Sequence, residues 1–307
     1  MSDSTNKSQN KHALAGYAFA LGSTAIWSGN FIIARGLSDS IPPVTLAFWR
    51  WVVATIVFLP FALKPLIAER EMLKKHLPYL SITALLGITI FNTLIYIAGH
   101  TTTAVNLALI SITFPIFIVI LSRLFFGEAI TLNKGIGIVL VLAGVLMLIS
   151  KGALSSLLDI SFAIGDLWML IASVVFAVYS ILLKRRPPEL GLLAFQLSTF
   201  ILGLLFLFPF FLWEQTAVSP VEFETRTLLS ILYVGVFASL VAFLLWNKAI
   251  TAVGPSKAAM VYYMLPLFSG ALAYLFLGES IRMVHFYSAL LIVSGILAAN
   301  YEPKKGK

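Results

Sequence analysis

The chain has 307 residues, 60% of them hydrophobic and 11% charged, with a formal net charge of +8 and a mean hydropathy of +0.97. A soluble domain carries about 25% charged residues, so this chain lacks the polar surface for a water-facing globule, and lipid is the solvent that suits it. The absence of cysteine excludes disulfides, cysteine nucleophiles, thiolate metal sites and iron–sulfur clusters. The basic excess sits in short loops between apolar runs, where it signals topology and not nucleic-acid binding.

A polar tail, residues 1–12, leads into an apolar run too long for a signal-peptide core. A bilayer crossing needs about 20 mostly apolar residues. Spans are therefore expected at 13–35, 44–63, 77–99, 103–125 and 132–150. After an extracytoplasmic linker at 151–163 they are expected again at 164–184, 190–213, 227–250, 256–277 and 283–301, with a tail at 302–307. The fold class is all-α integral membrane with ten transmembrane helices. With the N-terminus in the cytoplasm, sixteen of the 21 Lys and Arg fall on the cytoplasmic side, against Arg35, Lys151, Arg226 and Arg282 on the other. That bias places both termini inside, in a cell's inner (cytoplasmic) membrane.

The two halves repeat. Phe114-Pro115-Ile116 and Leu124-Phe125-Phe126-Gly127-Glu128 are matched by Leu265-Pro266-Leu267 and Leu275-Phe276-Leu277-Gly278-Glu279, each 151 positions on. Leu59-Pro60-Phe61 matches Phe208-Pro209-Phe210, and Ile26-Trp27-Ser28 matches Val175-Phe176-Ala177, both at an offset of 149. Five spans per copy is an odd number, so the second copy enters the membrane upside down. Two inverted five-helix repeats, at 13–150 and 164–301, are a mark of secondary transporters, whose substrate site lies between the repeats.

Polar residues within spans are costly and face a cavity or the bundle interior. Trp27 and Asn30 share a helix face, as do Asn92 and Tyr96. Tyr179 lies in the sixth span, Trp246 and Asn247 end the eighth, and Tyr262 and Tyr263 occupy the ninth. These nine residues are the candidate substrate-binding set, an aromatic wall with amide groups. Arg50, inside the second span, is read as structural or gating, with a substrate carboxylate as the other partner considered; Lys248 and Lys257 are further charge candidates. Pro115 and Pro266, at matched positions in the fourth and ninth spans, are candidate hinges.

No Asp or Glu is expected in the middle of a span, which disfavours proton-coupled export of organic cations and favours a neutral or zwitterionic solute. An intramembrane lipid-modifying enzyme is the alternative from another class. It would need an HExxH, a GxSxG elbow or paired intramembrane carboxylates, none of which is found. No metal site and no cofactor are expected. The partners are a small metabolite and membrane lipid, not nucleic acid, with the chain a monomer or homodimer.

The residues that carry a family resemblance are the two Pro…Gly-Glu stretches, Ala25-Ile26-Trp27-Ser28-Gly29-Asn30-Phe31, Phe48-Trp49-Arg50-Trp51, and Trp246-Asn247-Lys248-Ala249 followed by Gly254-Pro255-Ser256-Lys257-Ala258. Through them the chain resembles the ten-helix EamA-type branch of the drug/metabolite transporter superfamily over nearly its whole length. The resemblance implies secondary active export or exchange of small metabolites, commonly amino acids, without ATP. It implies a cavity lined by helices one to four and six to nine. Helices five and ten would brace the halves, and they carry small residues suited to close packing, Gly137 with Gly144 and Ser288 with Gly295.

Overall fold

The computed structural model describes residues 2–37, 40–102, 104–150, 163–218, 224–277 and 283–301, and no strand occurs among them. The linker up to residue 162, the C-terminal tail, Lys151, Glu279 and Arg282 lie outside the described residues. The helices are α1 (Ser2–Gly36), α2 (Pro43–Ala68), α3 (Arg70–Lys75), α4 (Leu77–Ala84), α5 (Phe91–Thr101), α6 (Ala104–Ser111), α7 (Phe114–Phe126) and α8 (Leu132–Ile149). They continue with α9 (Ile164–Lys184), α10 (Leu192–Ala217), α11 (Thr225–Tyr233), α12 (Ala242–Val253), α13 (Pro255–Tyr262), α14 (Leu265–Leu277) and α15 (Met283–Asn300).

Among the described residues, seven helical stretches are long and apolar enough to cross a membrane: Pro43–Ala68, Leu77–Thr101, Leu109–Phe126, Ile164–Lys184, Leu192–Ala217, Thr225–Val253 and Met283–Asn300. A shorter apolar run, Leu132–Leu148, lies in α8. Phe61, Leu124, Leu205 and Leu297 are exposed on the outside of the bundle, which lipid tolerates and water does not.

Two of the long helices pass through a π-helical segment, Leu85–Ile90 between α4 and α5 and Val234–Val241 between α11 and α12. A π turn frees a backbone carbonyl, and π segments recur at functional sites. In both places a side chain five residues on satisfies that carbonyl. Asn92 Nδ2 donates to the Gly87 carbonyl at 2.9 Å, and Ser239 Oγ to that of Val234 at 2.8 Å.

The expected fourth and ninth spans are not bent but broken. Turns at 112–113 and 263–264 separate α6 from α7 and α13 from α14. Pro115 and Pro266 are each the second residue of the restarting helix. Proline lacks the N–H that a continuing helix needs, but the first turn leaves that N–H unpaired in any case.

Helices at matching sequence positions run antiparallel against each other. α8 lies on α15 with Gly137 at Gly295 and Gly144 at Leu291 and Ile292. A Cβ on Gly137 would lie 2.5 Å from the Gly295 carbonyl oxygen, so the backbones touch only because both residues lack a side chain. α2 lies on α10, with Phe48 stacked on Phe211 at 4.2 Å and Trp51 and Phe58 against Phe200. Their ends cap one another. Glu214, late in α10, accepts from the Val44 and Thr45 amides at 3.1 and 2.6 Å and from Thr45 Oγ1 at 2.7 Å, closing the first turn of α2. Glu69, just past α2, accepts from the Gly191 amide at 2.7 Å, closing the start of α10. A carboxylate at a helix N-terminus meets unpaired N–H groups and the positive end of the dipole.

The two caps sit at opposite ends of the bundle. The Glu69 end is the basic face. There α3 carries Arg70, Lys74 and Lys75, Lys184 Nζ pairs with Glu128 at 2.9 Å, and Lys134 Nζ donates to Ser256 Oγ at 2.9 Å. At the opposite face Asp166, in the first turn of α9, is buried. It accepts from Thr102 Oγ1, from Asn106 Nδ2 at 3.0 Å and from the Ala163 amide at 2.7 Å. The carboxylates of Asp166 and Glu214 are buried parts of helix ends. Each is fully engaged by donors, which is how a buried carboxylate is tolerated.

Candidate functional site: an aromatic cavity with two amides

Trp27, in the C-terminal half of α1, is the hub of the core. Its ring meets Phe176 of α9 at 5.5 Å, Phe243 and Trp246 of α12 at 5.6 and 5.4 Å, and Tyr262 of α13 at 6.3 Å. Edge-to-face pairs at such spacing add about 0.5–1.5 kcal/mol each beyond area burial. The indole N–H donates to the Ala238 carbonyl, within the second π segment, at 2.9 Å. Trp27 and Phe176 hold equivalent places in the two copies, so the repeat meets itself at this ring pair.

Beside the hub lies a small cavity lined by Trp27, Asn30, Phe91, Asn92, Ile95, Phe114, Phe176 and Tyr262. It is narrow, admitting little more than a water-sized group at its widest. A larger solute enters only as side chains or helices move. Phe114 packs on Tyr262 at 3.8 Å and Phe91 on Phe176 at 4.4 Å, so the walls close on each other across α5, α7, α9 and α13.

The polar groups around it are wired in a definite direction. Arg50 is buried to 1% exposure. It donates from Nε to Ser239 Oγ and from Nη1 to Tyr96 Oη, both at 2.6 Å. Tyr96 Oη in turn donates to Asn30 Oδ1 at 3.2 Å. Arg50 Nη2 is buried without a hydrogen-bond partner, and no carboxylate lies within ion-pair reach of the guanidinium among the described residues.

Of the nine candidate binding residues, the structure brings Trp27, Asn30, Asn92 and Tyr262 onto the cavity and sets Tyr96 directly behind Asn30. Trp246 and Tyr179 form the next ring layer; Trp246 Nε1 donates to Ser180 Oγ at 3.2 Å, and the Tyr179 ring lies against Gly87, where a Cβ would come within 2.3 Å. Asn247 belongs to a separate node, paired with Gln196 of α10. Tyr263 is the exception: it packs with Ile112, Val141, Met260 and Ile292, away from the cavity. It and Tyr262 are adjacent on a helix, so their side chains diverge by about 100°. Lys248 is exposed over the Phe19 ring at 5.5 Å, and Lys257 is half-buried in the first turn of α13; neither reaches the cavity. Sequence reasoning missed Phe91, Ile95, Phe114 and Phe176 as cavity lining, and Ser239 as an Arg50 partner. The repeat match of Trp27 with Phe176 was the available signal for one of them.

At the basic face a second cleft, open to solvent, is lined by Leu183, Lys184, Arg186, Ile250, Thr251, Val253 and Gly254. It runs between the ends of α9 and α12, the helices that carry Phe176 and Trp246. No group of three or more His, Asp or Glu that would hold a metal ion occurs among the described residues.

The EamA-like transporter family model matches the chain twice, at residues 14–150 and 163–301. An uncharacterized transporter of Archaeoglobus fulgidus is 28% identical over 274 residues, covering 88% of this chain and 92% of that one. The uncharacterized transporter YyaM of Bacillus subtilis is 25% identical over 284 residues, covering 92% and 93%. A crystal structure at 18% identity superposes with a TM-score of 0.74 over 93% of this chain and 96% of its own, a likeness of fold.

Proposed function

We propose, from the premise that this chain belongs to the EamA-like transporter family, that it is a secondary active transporter exporting or exchanging small zwitterionic metabolites such as amino acids. It is a multi-pass membrane protein of a transporter family, which points away from an enzyme. In our reading it crosses the membrane ten times as two inverted five-helix units with both termini in the cytoplasm, and the units rock about the central cavity. The family model matching twice and the antiparallel packing of α2 on α10 and α8 on α15 support the inversion. The clustering of Lys and Arg beside α3 supports a cytoplasmic basic face.

The observation that carries the reading is the cavity itself. It lies between residues of both copies and has aromatic walls with two amides, Asn30 and Asn92. Such a site suits a solute with an apolar body and a polar head. The organic-cation alternative needs a carboxylate at the cavity. Asp166 and Glu214 are instead engaged at the opposite face. The test is purified chain in liposomes loaded with unlabelled amino acids. Labelled amino acids should exchange across the membrane without ATP. A broad panel that neither crosses nor binds would end this reading.

A further inference from the structure

We propose that Arg50, acting through Tyr96 and Asn30, makes one side of the central cavity a carboxylate subsite, while Asn92 presents an acceptor to the substrate ammonium. The inference rests on the transporter reading and names the chemistry by which that site selects its solute.

The direction of each hydrogen bond is fixed by what each atom can do. A guanidinium only donates, so Tyr96 Oη accepts from Arg50 Nη1 and spends its one proton on Asn30 Oδ1. With its oxygen occupied, Asn30 has the amide Nδ2 left for the cavity it lines. That group is a donor polarised by a buried cation two hydrogen bonds away, and chained hydrogen bonds in a low-dielectric interior strengthen one another. At Asn92, which also lines the cavity, the order is reversed. Asn92 Nδ2 donates to the Gly87 carbonyl at 2.9 Å and leans on that of Ile88 at 3.4 Å, which leaves Oδ1, an acceptor, for the solute. The π segment is what creates the carbonyl that holds Asn92 this way round. The same device turns Ser239, whose proton goes to Val234, into an acceptor for Arg50 Nε.

A donor end and an acceptor end, walled by Trp27, Phe91, Phe114, Phe176 and Tyr262, match a free amino acid. The ring faces also favour an ammonium. Arg50 is a cation with no carboxylate in ion-pair reach among the described residues and a buried Nη2 without a partner. A cation left so in a membrane interior is costly, and an incoming carboxylate supplies the charge it lacks. If Arg50 were only a staple between α2, α5 and the second π segment, it would have no bearing on which solutes bind.

The experiment is an equilibrium titration of the purified full chain, read by the change in its tryptophan emission, to which Trp27 at the cavity contributes. The probes are phenylalanine, phenethylamine and 3-phenylpropionate, which share the ring but carry both charges, only the ammonium or only the carboxylate. The wild type should bind phenylalanine at least about tenfold tighter than either analogue, the scale of one hydrogen bond to a charged group. Tyr96→Phe, which keeps the ring and cuts the relay, should shrink the phenylalanine-to-phenethylamine gap several-fold. Asn30→Asp, which sets a carboxylate where the donor was, should reverse it in favour of phenethylamine. Folded variants that keep the wild-type ratio would overturn the Arg50 relay and leave the transporter reading standing. A wild type that binds none of the three would overturn the subsite, while the transporter reading falls only if the broad amino-acid panel also fails to cross or bind. Should both variants misfold, the wild-type ratio decides alone, because phenethylamine binding as tightly as phenylalanine removes the carboxylate subsite.

Discussion

At the scale of single residues, the cavity's chemistry depends on side chains whose polar atoms are already committed. Asn92 is the clearest case, because it serves the backbone before it serves a solute. Asn92→Leu, close in size, leaves the Gly87 carbonyl buried and unpaired. An unsatisfied buried acceptor costs about 1–3 kcal/mol. The expected outcome is a lowered melting temperature in detergent together with lost amino-acid exchange. A variant as stable as the wild type would show that the π carbonyl finds another donor. Arg50 teaches the same lesson from the other side. Position in a helix suggested a structural or gating group, and two other elements, α5 and the second π segment, meet it through Tyr96 and Ser239, with the neighbouring Trp51 ring 5.3 Å from its guanidinium carbon.

Among the helices, the α8–α15 pair is the contact with least tolerance. Glycine faces glycine, and Val141 and Ala299 fill the space on either side. Gly137→Val would drive a branched side chain into the Gly295 carbonyl and the Ala299 side chain. Overpacking of this kind costs about 1–3 kcal/mol. It should lower the melting temperature while leaving affinity for a bound amino acid within about twofold, since neither helix lines the cavity. A large loss of affinity in a folded variant would show that the bracing pair sets the cavity's shape. The broken spans carry a different lesson. Pro115 and Pro266 do not weaken long helices from within; each starts a new helix just past a turn. Phe114 and Tyr262, the two rings that close one wall of the cavity, flank those breaks.

For the whole molecule, the reciprocal caps tie the two copies together at both membrane faces. Glu214 holds α2 at the face opposite the basic one, and Glu69 holds α10 at the basic face. A transporter that alternates must loosen one while keeping the other. Glu214→Gln and Glu69→Gln each remove a charge at a helix N-terminus, worth about 1 kcal/mol, or roughly fivefold in population. The chain has no cysteine, so Ile95→Cys in the cavity reports alone. Glu214→Gln should raise its labelling by a membrane-impermeant thiol reagent from the face opposite the basic one, and Glu69→Gln from the basic face. Equal effects of both variants at both faces would show that the caps staple the fold and do not set its orientation.

The sequence by itself determined what local pattern and composition dictate. Apolar runs of membrane length located most of the helices to within a few residues, because lipid leaves helix as the structure for such a run, but α1 begins at Ser2 and not at residue 13, and the fourth and ninth spans are each divided by a turn. The constant offset of 149 to 151 disclosed the duplication, and Gly137, Gly295, Trp27, Asn30 and Asn92 were legible from their types and spacing. Tertiary structure decided which side chains meet. The roles of Asp166 and Glu214 were not legible because their donors, Thr102 with Asn106 and the start of α2, are 60 or more positions away in sequence. Tyr262 and Tyr263 are indistinguishable by type, and only packing sends one to the cavity and the other against α15. The polarity of each amide was equally hidden. An asparagine donates or accepts according to what holds its other end, and here a π turn and a buried arginine decide that.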